Sequence, residues 1–262
     1  MPALALTIDD RPPLTHVRYK NAARGGGSVT AHLVVERARA RALPDGLDAL
    51  VLTGDLQGVV PDPRGGPNQL LGVAVAEVLE ELAFDEVLPP ADRIGVILAG
   101  DLYSVPDADR RGGHGDVAPV WLAFAERFAW VAGVAGNHDE VEAVPARANL
   151  HLLDGQQRSL GGLRIGGVGR IIGAPGKRGR RDHDAQLKQI AAAGAGADLL
   201  VLHEGPPGAR PDQRGHAAIA EALADLGVPL TVCGHDHWPV ALADTAHGQV
   251  LNVDARVVVV ER

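Results

Sequence analysis

The chain has 262 residues and a formal net charge of −8, with a pI near 5.7. It is long enough to bury a substantial core and carries no overall electrostatic footprint for nucleic acid or an anionic membrane. Cys233 is the single cysteine, which excludes an intrachain disulfide and a thiolate metal cluster, so any metal must be held by His, Asp, Asn or Gln. Residues 1–13 lack a basic n-region, and no later stretch approaches the roughly 18 unbroken apolar residues of a membrane span. The expectation is a cytoplasmic chain with no membrane partner, forming one domain over residues 1–262 with residues 1–45 as an N-terminal extension packed on it.

In chain order, residues 28–43 read as a helix capped by Ser28, with Arg37, Arg39 and Arg41 near its C-terminal end, where cations are favoured. Short Val/Ile/Leu/Ala runs follow at 47–53, 94–99, 130–135, 198–202 and 229–233. Each is a continuous apolar run, the pattern of a strand buried on both faces. Between them, residues 68–84, 117–129, 184–193 and 217–226 carry apolar side chains at helical spacing. Residues 149–172 and 240–260 read as short strands joined by Gly-containing turns. Strands alternating with helices imply crossover units and a largely parallel sheet with ligands at the strands' carboxyl ends. The expected fold class is α/β, two mixed β-sheets flanked by helices.

The polar residues at those strand ends carry the functional signal. In order they are Asp55, Asp101, Asn137-His138-Asp139, His203, and His235 with His237. The motifs Asp55-Leu56-Gln57, Gly100-Asp101, Gly136-Asn137-His138-Asp139, His203 and Gly234-His235-Asp236-His237 follow in the order found in the calcineurin-like metallophosphoesterase superfamily, which the chain resembles from about residue 47 to 238. The resemblance implies a four-layer α/β/β/α sandwich and two divalent metal ions, Mn²⁺ foremost, with Mg²⁺, Fe and Zn²⁺ as alternatives. It implies that Asp101 bridges the two, that Asn137, His203 and His235 complete one site, and that Asp55 and His237 serve the other with Gln57. His138 would face the substrate and donate a proton to the leaving oxygen, with Asp139 fixing its orientation. The implied reaction is hydrolysis of a phosphomonoester or phosphodiester by in-line attack of a metal-bound hydroxide.

Gln57 departs from the superfamily pattern, which has His at that position. A Gln oxygen is neutral and harder than an imidazole nitrogen, so it favours oxygen-loving ions or acts only as a hydrogen bonder. Arg170, Lys177, Arg178, Arg180 and Arg181 form a basic stretch in a Gly- and Pro-containing loop. From it Arg170, Arg178 and Arg181, with His114 from the loop after Asp101, are candidate contacts to a substrate phosphate. The same stretch supports an alternative reading, a phosphoesterase acting on nucleic-acid ends, against which the acidic balance and 3% aromatic content weigh. A second alternative is a non-catalytic scaffold that has lost one metal. His16, His32, His151, His183, His216 and His247 match no motif position.

Overall fold

The computed structural model describes residues 4–62 and 65–262; the expectation for residues 1–3 lies outside them. A 10-stranded sheet and a 6-stranded sheet lie face to face, and helices cover the outer face of each. The larger sheet is built around the parallel strands Ala49–Gly54, Ile94–Leu98 and Trp130–Gly133. The smaller one holds Leu163–Val168, Leu199–Glu204 and Leu230–Gly234 in parallel. The helices are α1 (Leu71–Phe84), α2 (Ala118–Arg127), α3 (His183–Gly194) and α4 (Ala217–Ala224). This is an α/β sandwich of four layers. Among the described residues, no helix is long and apolar enough to cross a membrane.

The unbroken apolar runs have a direct cause in this layering. Along Ala49–Gly54, Val51 faces α1 and α2 beside Leu79, Trp121 and Phe124, whereas Leu50 and Leu52 face the second sheet beside Ile165, Val201 and Val232. A residue pointing either way therefore meets a core, at about 1.5–3 kcal/mol for each Leu or Val fully buried. A third cluster, Ile190, Leu202, Ile219, Leu223 and Trp238 among its members, fixes α3 and α4 to the small sheet.

The helix expected at residues 28–43 is instead the 13-residue strand Ser28–Ala40. It pairs antiparallel with Thr15–Ala22 and parallel with Arg256–Glu261 inside the 10-stranded sheet. The three arginines that suggest a helix C-terminus alternate at every second position, which is a strand period. Arg37 faces Glu261 and Arg39 faces Asp9 across strands. Gly26 and Gly27, at φ +91° and +76°, make a hairpin turn in place of a flexible helix entry. Residues 6–40 thus supply strands of the main sheet.

Candidate metal centre

The loops leaving the parallel strands converge at one end of the sandwich, and three of the residues there adopt left-handed backbone conformations: Asp55 at φ 50°, Asp101 at φ 54° and His235 at φ 68°. Such conformations cost of order 1–3 kcal/mol in a non-glycine residue and persist where surrounding structure holds them. Here they turn each side chain sharply back over its strand end. Glycines make the room: a Cβ on Gly136 would lie 2.0 Å from Asp101 Oδ1, and one on Gly234 would lie 2.0 Å from Asp55 Oδ2.

His203 reaches the same point differently. Expected just past a strand, it lies within Leu199–Glu204, where the register against Leu230–Gly234 shifts between Leu202 and Glu204. The bulge re-aims the side chain inward. The imidazole is fully buried, its Nδ1–H donating to the Ala99 carbonyl at 2.8 Å. That bond fixes the tautomer and leaves Nε2 3.0 Å from Asn137 Oδ1 and 3.4 Å from Asp101 Oδ1.

A neutral imidazole nitrogen and two oxygens facing one another are three acceptors with no donor among them, an arrangement that needs a proton or a cation at its centre. His235 completes the set. One ligand atom from each of Asp101, His203 and His235 lies within 4.8 Å of the others, and the His203 and His235 rings meet edge to face with centroids 5.2 Å apart. This donor set of two imidazoles, a carboxylate and an amide oxygen fits a divalent cation.

The charges respond to the same crowding. Burial by itself would lower the His203 pKa, but the Asp101 carboxylate and its hydrogen bond outweigh burial and hold it at about 10. Burial likewise pushes Asp101 up, and the His203 charge overrides it to leave the carboxyl at about 2. Asp55 is driven well above the usual carboxylate range by burial, and burial lowers His235. A cation bound here would replace the proton on His203, so binding releases protons and strengthens as pH rises.

Asp55, Gln57 and His237 line a cleft of about 340 Å³. Asp55 Oδ2 accepts from the His235 N–H at 2.9 Å. Gln57 donates its amide Nε2–H to Asp101 Oδ2 at 2.9 Å, so it touches the carboxylate expected to bridge. His237 is more exposed than the other donors, and Asp254 Oδ2 holds its Nδ1 at 2.8 Å. Sequence reasoning missed Asp254: it precedes an ordinary valine run and belongs to no motif, and only the antiparallel return of Arg256–Glu261 beside Ala49–Gly54 brings it to the centre.

His138 sits beyond this group, with Nε2 4.0 Å from Asp101 Oδ2. Its backbone N–H donates to Asp101 Oδ1 at 2.9 Å. The ring is held by the Gly113 carbonyl, 2.9 Å from Nδ1, not by Asp139 as expected. Asp139 accepts instead from the N–H groups of Gly136, Leu102 and Tyr103, tying the Asn137 loop to the Asp101 loop. Burial raises its carboxyl to about 6. His114 lies beside His138, their ring centroids 4.9 Å apart.

The basic stretch packs against the Asn137 loop, where a Cβ on Gly179 would come within 2.3 Å of the Asn137 carbonyl oxygen. Arg181 is half-buried and pairs with Asp154 at 2.7 Å and with Gln186 Oε1 at 2.6 Å, so it helps to fix its own loop. Arg178 pairs with Glu140. Arg170, Lys177, Arg178 and Arg180 line a larger cleft of about 660 Å³ together with Glu140, Glu142 and Asp154, a mixed-charge surface that includes none of the converging donor atoms.

The family model of the calcineurin-like phosphoesterases matches residues 49–239. No curated protein matches the chain. The crystal structure of TT1561 of Thermus thermophilus is similar with a TM-score of 0.55 at 16% identity, over 79% of this chain and 91% of that one, which is a likeness of fold. The span matched by the family model reaches from the strand before Asp55 to the turn after His237, and the chain belongs to the calcineurin-like phosphoesterase family.

Proposed function

We propose that the chain is a metal-dependent phosphoester hydrolase with a two-ion centre, acting as a single domain over residues 1–262. The observation that carries this reading is the convergence of His203 Nε2, Asn137 Oδ1 and Asp101 Oδ1 on one point. Asp101, Asn137, His203 and His235 would hold one ion, and Asp55, His237 and Asp101 the other. Divalent ions held there supply Lewis acidity toward the phosphoryl oxygens and a nucleophile at neutral pH. The amide oxygen of Asn137 and the carboxylates of Asp55 and Asp101 favour Mn²⁺ over softer ions.

The protein's own part is to place and protonate. Because the Gly113 carbonyl takes the Nδ1 proton, His138 presents Nε2 to the space in front of Asp101, where it serves as donor to the leaving oxygen. His114, whose ring lies beside that of His138, would contact the substrate. The test is turnover of nitrophenyl phosphate and its phosphodiester analogue with Mn²⁺, Mg²⁺, Zn²⁺ and after chelation. Activity with added Mn²⁺ and none after chelation is expected; equal turnover by metal-free protein would remove the proposal.

Two further outcomes follow from the second ion's surroundings. The Gln57 N–H occupies a lone pair of Asp101 Oδ2 that a bridging ion needs, so that site should be the weaker of the two. Gln57→His should remove this competition, add an imidazole and lower the Mn²⁺ concentration for half-maximal activity about tenfold, the order of 1.4 kcal/mol. Unchanged half-saturation would place residue 57 outside the coordination sphere. Asp254→Asn keeps the shape but weakens the hold on His237, and should reduce metal affinity about 10-fold, as loss of such orienting partners does. Competition with a fluorescent chelator reads it directly.

A further inference from the structure

The loop between Asp101 and α2 holds more than His114. It carries Arg110 and Arg111, which line the 340 Å³ cleft together with Asp55, Gln57, His237 and Tyr19. The larger, basic-loop cleft does not reach these residues. Arg110 has no hydrogen-bond or ion-pair partner among the described residues. Among the described residues Arg111 gives only its Nε–H, to the Ala22 carbonyl at 3.2 Å, which fixes the side chain and leaves its two terminal nitrogens without a partner there. In a chain with 33 acidic and 25 basic residues, two arginines with no ion-pair partner among the described residues, on a cleft whose carboxylates are Asp55 and Asp254 of the candidate metal centre, offer an anion-binding fork.

The loop is held in place rather than left to drift. The Gly27 N–H donates to the Asp109 carbonyl at 2.9 Å and Asn68 Nδ2 to the Pro106 carbonyl at 2.8 Å. Its glycines wrap the Tyr103 ring, where a Cβ on Gly115 would come within 2.2 Å. Preorganisation of this kind lowers the ordering cost of binding. The same loop supplies Gly113, whose carbonyl holds His138 and which lines the cleft with both arginines, so the arginines and the proposed proton donor are set by one loop. The N-terminal hairpin closes the cleft with Tyr19 and Asn21, and at about 340 Å³ the space matches a small molecule rather than a polymer strand.

We propose that Arg110 and Arg111 form an anion subsite that binds a second phosphate on the substrate's leaving group, making the cleft selective for small diphosphates over simple monoesters. This rests on the function proposed above but can be read without turnover. Calorimetric titration of the Mn²⁺-supplemented protein with imidodiphosphate, whose P–N–P bridge resists hydrolysis, and with orthophosphate separates the two phosphate positions. Imidodiphosphate should bind at least about tenfold tighter than orthophosphate, and Arg110→Ala and Arg111→Ala should each remove about tenfold of its affinity, the scale of a charge-assisted hydrogen bond. Arg110→Lys should recover part of it, and orthophosphate affinity should change less than about twofold, since that anion is held by the ions. Imidodiphosphate binding no tighter than orthophosphate, or an equal loss on both anions, would overturn the subsite. Arginine-dependent binding in a protein that hydrolyses no phosphoester with any metal would support the subsite and remove the hydrolase reading instead.

Discussion

Asp101→Asn is expected to leave the protein folded but without its full metal complement, and to lower kcat/KM on nitrophenyl phosphate by about 10³-fold, equivalent to about 4 kcal/mol of transition-state stabilisation. Asparagine is the informative replacement because residue 101 sits at φ 54°, a conformation that asparagine tolerates and alanine resists. Its side-chain oxygen can still accept the His138 N–H that Asp101 Oδ1 accepts at 2.9 Å, so that donor is not left unsatisfied. What is lost is the charge. Without it the fully buried His203 loses the carboxylate that does most to sustain its proton, leaving the more distant influence of Asp55, and the two proposed ion positions would lose the group expected to bridge them. Elemental analysis after dialysis decides the matter: wild-type metal content in this variant would show that Asp101 does not bridge.

The five parallel strands were legible because each is buried on both faces, and the motif residues because a strand end followed by Gly-Asp or Gly-Asn-His is a local pattern. Three features were not local. The Ser28–Ala40 strand carries Arg37 and Arg39 at a strand period, but its partners lie at residues 15–22 and 256–261, and long-range pairing overrode the apparent Ser28 cap. His203 is aimed by a bulge against the separate strand Leu230–Gly234, which no spacing reveals. Asp254, Gly113, Arg110 and Arg111 surround the centre through return strands and a loop whose sequence reads as an ordinary turn. Asp139 shows the opposite error: adjacency to His138 suggested a partnership with its ring, yet the turn directs its carboxylate to three backbone N–H groups.

His138→Ala should lower kcat on an alkyl phosphoester by about 10²–10⁴-fold, the usual scale of a positioned proton donor, while bound metal stays at the wild-type level. The two readouts separate donor from ligand. His138 Nδ1 is engaged by the Gly113 carbonyl at 2.9 Å, and Nε2 lies 4.0 Å from Asp101 Oδ2, outside the group formed by Asp101, His203 and His235. Leaving-group chemistry gives the sharper test. An alkyl oxygen must be protonated as it departs, whereas nitrophenolate leaves readily as the anion, so the variant should lose about 10³-fold on an alkyl phosphoester but only about tenfold on the nitrophenyl one. The same split should appear in milder form for Gly113→Pro, which leaves His138 in place but disturbs the carbonyl that holds its ring. Equal losses on both substrates, or a fall in bound metal in the His138 variant, would mean that the imidazole belongs to the metal shell and that the proton comes from elsewhere, with His114, 4.9 Å away ring to ring, as the next residue to replace.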